Sequence, residues 1–349
     1  MEMSKAVKLA DIAQKLDVST VTVSKALSGQ KGVSEEMRAK IKQLADEMGY
    51  VKTEGADKSK ERKSYTIGIA VASRYLYESQ SFYWRLYQDL SQSAMRKNCF
   101  TMLEEIKYEE ERNKRLPKMV IEGKIDAIIV MGTFRFEYAS FLRRDVHLPL
   151  ILLDTLGNEG EFDTVVTNNM MGAYRMTNYL FDLGHSQIGF VGTRLTTASI
   201  DDRYFGYLKS AMEHGMEVRE EWLIDDRDRE TGLSDYVEHY HLPTENMPTA
   251  FFCNNDIAAT VVIRKLMERG YSVPEDVSVV GFDNHVNEPL SQIKITTYAI
   301  NTKEMARRAV HILLHKLENP DYSTGVYMID GKFIERESAR KIGPPVPFV

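Results

Sequence analysis

Between residues 9 and 48 apolar side chains recur three and four positions apart, and from residue 65 they gather instead in short runs separated by further helix-period stretches. Leu9, Ile12, Ala13 and Leu16 form one buried face, which predicts a first short helix over Lys8 to Leu16. Asp17-Val18-Ser19 breaks the pattern. Ser19 stands as an N-cap, with Val18 and Val23 placed as the two halves of a hydrophobic staple, so a second helix starts at about Thr20. On it Val23, Ala26 and Leu27 share one side, while Val21, Lys25 and Ser28 cluster opposite, flanked by Thr22 and Ser24. A third helix follows from Ser34, an N-cap with Glu35 and Glu36 at the positive end of the helix dipole and an apolar row of Met37, Ile41, Leu44, Ala45 and Met48. Three short helices with a tight turn between the first two make a helix-turn-helix unit.

The outer face of the second helix is rich in Ser and Thr, which are mediocre helix formers. A helix laid in a DNA major groove needs such short side chains: hydroxyls for phosphates and base edges, a methyl-bearing residue for thymine, and a cation for guanine or backbone. Spacing alone also allows a three-helix appendage whose hydroxyls face water.

From Lys52 to Ser64 the chain reads KTEGADKSKERKS, dense in charge and without apolar period, which marks a linker or a helix formed only on a partner. Alternation then takes over. Strands are expected at Tyr65 to Ala72, CFTMLEE, DAIIVMG and PLILLD, with helices over Phe82 to Lys97, Glu109 to Glu122 and about Glu137 to Arg144. The series restarts with helices over Asn169 to Leu183, Asp202 to Glu213 and Ile257 to Arg269 between strands QIGFVG, Pro248 to Cys253 and VSVVGFDN. A last helix, Thr302 to Leu317, precedes a short β-rich tail. Two βαβ units in one chain imply two parallel sheets with a cleft between them.

The net charge of −6 looks wrong for a DNA binder until it is divided: residues 1–63 carry +3 and the remainder −9. Cys99 and Cys253 lie in apolar runs and read as buried, reduced thiols. No apolar run reaches membrane-spanning length and no signal-peptide core is visible, which points to a cytoplasmic protein. No H-E-x-x-H, G-x-S-x-G or Walker A pattern occurs, and no metal or cofactor is expected. His185 has no nucleophile or carboxylate motif beside it and reads as a brace for its strand.

The run VKLADIAQKLDVSTVTVSKALSG...VSEEMRAKIKQLADEMGY, Val7 to Tyr50, resembles the DNA-binding headpiece of the lactose repressor/galactose repressor family. LGHSQIGFVG, DDRYFGY, NNDIAA, VPEDVSVVGFDN and ITTYAINTKEMARRA extend the resemblance over the whole chain. It implies an all-α helix-turn-helix headpiece (1–51), a hinge (52–64), and an α/β periplasmic-binding-protein-like body (65–349) of two doubly wound subdomains. Crossings are expected near Val165, Ile295 and Val326, giving an N-subdomain of about 65–165 and 296–325 and a C-subdomain of about 166–295 and 326–342. The resemblance also implies a sequence-specific regulator, a homodimer on double-stranded operator DNA, controlled by a small sugar or glycoside. Purine-type and sugar-phosphate effectors occur on the same fold.

By the same resemblance Thr20, Val21 and Lys25 read bases and Thr22 and Ser24 hold phosphates, with Ser19 and Ser28 on the same face. Lys25 stands where arginine is common, so a point-charge contact replaces a bidentate grip on guanine. Arg203, Asn255 and Asp283 match effector-contacting positions, Asp154 a more variable one, and Phe82 and Tyr83 open a helix where aromatic contacts are placed. Of Phe82, Tyr83 and Trp84, two are expected in the core, Asp256 is a candidate helix cap, and Ile300 is expected to make one wall of the cleft less polar. The hinge departs from the family: Lys52, Thr53, Ala56 and Ser59 fill the proline, asparagine, alanine and leucine places. The intercalating leucine is therefore missing, and Lys58, Lys60, Arg62 and Lys63 are candidates to hold phosphates instead. Two rivals stand beside the regulator: a sugar-binding sensor module without a specific operator, and a cytosolic α/β enzyme.

Overall fold

A computed structural model describes residues 7–48, 50, 64–76, 82–157, 162–235, 238–285, 293–323 and 325–349. The chain divides into two compact units, Met1–Arg62 and Lys63–Val349. Apart from Ser64, the expected linker and its candidate phosphate contacts lie outside the described residues.

The headpiece consists of α1 (Leu9–Lys15), α2 (Thr20–Leu27) and α3 (Glu35–Glu47). Ile12, Ala13, Val23, Ala26, Ile41 and Ala45 are its buried centre, with Val18 and Met37 packed against it. Ser19 caps α2 by accepting from the Thr22 amide at 3.1 Å, and Ser34 caps α3 through the Met37 amide. Asp17, at φ 51°, turns the chain between α1 and α2 in the left-handed conformation that aspartate tolerates.

The body begins with β1 (Thr66–Ala72), α4 (Phe82–Met95), β2 (Phe100–Ile106), α5 (Tyr108–Arg112), α6 (Lys118–Ile121), β3 (Ala127–Met131), α7 (Phe136–Asp145), β4 (Leu150–Leu153) and β5 (Asp163–Thr167). It continues with α8 (Asn169–Asp182), β6 (Ile188–Val191), α9 (Ala198–Glu213), β7 (Leu223–Ile224), β8 (Ala250–Cys253), α10 (Asp256–Glu268), β9 (Ser278–Asp283), β10 (Thr296–Ala299), α11 (Thr302–Glu318), β11 (Val326–Ile329) and β12 (Lys332–Ile334). The single helix expected over Glu109 to Glu122 is two short ones. The first stops at Arg112, where Lys114 turns the chain at φ 51°, and Pro117, which lacks an amide proton, stands as N-cap of the second.

Two sheets form, in the orders β2-β1-β3-β4-β5-β11 and β7-β6-β8-β9-β10-β12. All pairings are parallel except β10 with β12. Both orders reverse direction between their second and third strands, which opens a crevice at the carboxyl ends of the strands. The pairings correct two of the expected crossings. Strand β10 belongs with β9, so the chain crosses after Ala299 rather than near Ile295. Strand β11 belongs with β5, so the last crossing follows Ile329 rather than Val326. Each crossing waits for the strand to finish because buried backbone amides and carbonyls must be paired. The first crossing follows Thr167, where β5 ends.

Cys99, just before β2, and Cys253, closing β8, are both free and buried. Ile300 is buried in the main apolar cluster instead of facing the cleft, because it immediately follows β10 and packs under α11. His185 is buried, its Nδ1 2.9 Å from Thr249 Oγ1 and its Nε2 3.2 Å from the Arg340 carbonyl. Burial takes its pKa down to about 4, so it is a neutral brace between the start of β6, the start of β8 and the C-terminal segment.

Candidate functional site

In the headpiece, Thr20, Val21, Ser24 and Lys25 are exposed on α2, with Val21 at 60 %. Three of the other hydroxyls have partners within the helix: Ser19 Oγ meets Thr22 Oγ1 at 2.9 Å, and Ser28 Oγ donates to the Ser24 carbonyl at 2.7 Å. One residue escaped the sequence reading. Arg38 of α3 donates to the carbonyls of Lys25, Ala26 and Gln30 at 3.2, 2.9 and 2.7 Å. A cation on the last carbonyls of α2 satisfies orphaned acceptors and favours the negative end of the helix dipole. The signal was present in the sequence as an arginine on the otherwise regular third helix, but its target is a backbone that has no letter.

In the body, a cavity of ≈ 370 Å³ lies between the two sheets' carboxyl ends. Asp154 follows β4, Asn254 and Asn255 follow β8, Asp283 ends β9, and Arg203 comes from α9. All four expected polar residues therefore line one space, together with Phe82 and Tyr83 from the start of α4. Trp84 does not line it and packs edge-on to Tyr87. None of these three aromatics is fully buried, against the expectation that two would be core, because the start of α4 faces the cavity.

Arg203 is 5 % exposed and sits over the Phe282 ring, 3.9 Å from its centroid. It donates to Asn169 Oδ1 at 2.9 Å and to the Asn254 carbonyl, and pairs with Asp283 at 3.1 Å. Asp283 (φ 90°) and Asp154 (φ 60°) both hold left-handed backbone, the strained kind of position that concentrates at functional sites. Burial raises both carboxyls. For Asp154 the rise reaches about 7, with the Arg203 charge pulling it back and the Asp283 carboxylate adding to it. Asp154 Oδ2 accepts from the Tyr83 hydroxyl at 2.9 Å, while its buried Oδ1 has no partner. Such an atom calls for a hydrogen-bond partner from a bound molecule.

Asn255 also caps α10, accepting from the Ala258 amide at 2.7 Å, so the capping role weighed for Asp256 falls to its neighbour. Asp256 is instead buried behind the cavity and accepts from the His285 amide at 2.8 Å.

The sequence reading missed most of the wall. Tyr75 and Tyr83 pack together with centroids 4.4 Å apart and planes tilted by 35°, and Gly132 gives them their seat, since a Cβ there would lie 2.9 Å from the Tyr75 ring. Arg74 pairs with the fully buried Glu111 at 2.7 Å. Arg227 pairs with Asp226, which also accepts from the Thr193 amide and the Asn254 side chain at 2.9 Å each. Burial alone would raise Asp226, but the Arg227 charge and these hydrogen bonds carry it down to about 2. In sequence Asp226 and Arg227 sit inside DDRDRE, which reads as a solvated charge run.

Residues 8–52 match the bacterial regulatory proteins of the lacI family, and residues 177–339 match the periplasmic binding protein-like domain. The chain thus carries a lacI-family helix-turn-helix domain followed by a periplasmic-binding-protein-like domain. It is 24% identical over 335 residues to the HTH-type transcriptional repressor PurR of Aliivibrio salmonicida, covering 96% of this chain and 99% of the relative. Among solved structures it is similar to the transcriptional regulator CelR–cellobiose complex, with a TM-score of 0.67, 20% identity and coverage of 95% and 99% of the two chains. The lac repressor dimer bound to operator and the anti-inducer ONPF gives a TM-score of 0.65 at 20% identity, covering 96% and 100%. With this pair of domains the chain is a cytoplasmic DNA-binding transcriptional repressor and not an enzyme. Among the described residues no helix is long and apolar enough to cross a membrane, and no cluster of His, Cys, Asp and Glu could hold a metal ion.

Proposed function

We propose that the chain represses carbohydrate-utilisation genes as a homodimer on pseudo-palindromic operator DNA, and that a small sugar or glycoside in the interdomain cavity controls it. The observation that carries this reading is the partnerless buried Oδ1 of Asp154 in a cavity that also holds Arg203, Asn255, Asp283 and two aromatic faces. Sugars offer hydroxyls to paired donors and acceptors, and apolar ring faces to Phe82 and Tyr83. The structural likeness to a cellobiose-bound regulator supports the same class. In the headpiece, Thr20, Val21 and Lys25 read base edges, and Ser19, Thr22, Ser24 and Ser28 approach phosphates. Control follows if the ligand binds the operator-competent and incompetent arrangements of the two subdomains unequally.

One observation favours a second reading. Tyr75 and Tyr83 both line the cavity with their rings tilted 35° to one another, and aromatic surface of this kind suits a planar, purine-type effector. Two measurements decide. Selection of random duplex DNA by the full-length chain is expected to enrich a pseudo-palindrome, and retention without an enriched site favours the sensor module. Thermal shift of the chain with sugar and purine panels then assigns the effector, since only a ligand of the folded state raises the midpoint. Stabilisation by purines alone overturns the sugar.

A further inference from the structure

We infer that a second chamber beside the main cavity is a binding site for an apolar substituent, about the size of a phenyl ring, on the small molecule whose polar part occupies the cleft. The inference rests on the reading of the main cavity as the effector site. The chamber has a volume of ≈ 220 Å³ and lies between the subdomains, with Phe134, Leu152 and Phe162 on one side and Leu195 and Ala198 on the other. An apolar cavity of about 150 Å³ suffices to bind benzene.

The polar side chains in its wall are already committed. Thr133 Oγ1 lies 3.3 Å from Thr155 Oγ1, Thr196 Oγ1 donates to the Thr193 carbonyl at 2.6 Å, and Thr197 Oγ1 accepts from the Ile200 amide at 3.2 Å. Asp201 accepts from the Leu195 amide at 2.7 Å. The main cavity, by contrast, presents the partnerless Asp154 Oδ1. The second chamber thus offers the apolar side chains of Phe134, Leu152, Phe162, Leu195 and Ala198 between threonines whose hydroxyls already have partners. The two cavities adjoin at Thr197, which lines both, while Arg74 and Tyr75 of the main cavity donate to the Thr133 carbonyl beside the second.

Leu195 supplies an independent sign. It adopts φ 65°, a left-handed conformation unfavourable for leucine, and leaves its side chain 83 % exposed on the chamber wall. Left-handed backbone at non-glycine residues concentrates at ligand-binding positions.

The test uses the full-length chain and 4-fluorophenol, followed by ¹⁹F NMR, with phenyl and methyl β-glucoside as a second pair of probes. Ala198→Trp fills the chamber, and Leu195→Asn keeps a left-handed backbone while removing the apolar surface. Fluorophenol is expected to bind the wild-type chain, at least tenfold more weakly to Ala198→Trp and severalfold more weakly to Leu195→Asn. Phenyl glucoside is expected to outbind methyl glucoside by tenfold, and Ala198→Trp to erase that advantage. Should Ala198→Trp melt early, Leu195→Asn alone decides. Fluorophenol binding unchanged in both variants, or lost only in Asp154→Ala, overturns the chamber while leaving a polar effector in the cleft untouched. Variant-sensitive fluorophenol binding with neither glucoside bound keeps the chamber and overturns the sugar.

Discussion

Val21 stands 60 % exposed on α2, whereas Arg203 is 5 % exposed in the cleft and is held by Asn169, Asn254, Asp283 and the Phe282 ring. The two surfaces meet different ligands under different rules. DNA brings its own charge and groove, so short side chains in water suffice, and the helix beneath them need only be rigid. A small molecule brings few atoms, so the cleft must be preorganised by side chains that hold one another. The headpiece should accordingly tolerate changes to its outer face with little loss of stability, while the cleft should not.

The largest expected effect breaks the cleft's scaffold. Asp226 is fully buried and holds Arg227, the Thr193 amide and Asn254, so Asp226→Ala strands a guanidinium and two donors. We expect a loss of about 3–5 kcal/mol in urea unfolding of the body. A loss below about 1 kcal/mol would place Arg227 in water and remove the contrast with α2.

Next in size is Arg203→Ala, expected to weaken effector binding by about 1.5–3 kcal/mol, the worth of a hydrogen bond to a charged group. Titration calorimetry with the effector found by screening reads this, and operator affinity without effector should stay at the wild-type level. Loss of operator binding instead would make Arg203, with its Asn169 and Asp283 contacts, part of the fold alone.

A smaller effect depends on pH. Asp154 has an ordinary pKa of 3.8 when unfolded and about 7 in the cleft. Between those values the folded chain keeps a proton that the unfolded chain releases. Its contribution to stability is therefore complete below the unfolded value and is lost as pH rises towards 7, by up to about 1.4 kcal/mol per pH unit. Asp154→Asn should flatten this slope in unfolding midpoints taken between pH 4 and 7. A variant with the wild-type slope would mean that Asp154 is ionised and solvated in the folded chain.

The same contrast explains what could be read in advance. The headpiece is local: Ile12, Ala13, Val23, Ala26 and Ile41 declare their faces through spacing, and Ser19 and Ser34 declare the helix starts. Asp154, Asn255 and Asp283 were legible because each follows an apolar run. Tyr75, Arg74 and Arg227 were not, since what places them is distant in the chain: the seat at Gly132, the buried Glu111, and the Thr193 and Asn254 partners of Asp226. Crossing points slipped by a few residues because pairing between β10 and β9, or β11 and β5, is a property of two strands and not of either.

The smallest effect tests the other side of the comparison. Val21 is exposed, so Val21→Ala removes two methyl groups from water and should leave headpiece stability almost unchanged, apart from the modest gain that alanine brings to a helix. If those methyls meet a thymine methyl in the major groove, the variant loses discrimination at one base step by about 1 kcal/mol, and affinity for other sequences stays the same. Competition between the selected site and its single-base variants measures this. Uniform weakening across all sequences would mean that Val21 packs the helix against DNA without reading it. A headpiece that unfolds more readily would mean that Val21 belongs to the core with Val23, and that the outer face of α2 has been drawn on the wrong side.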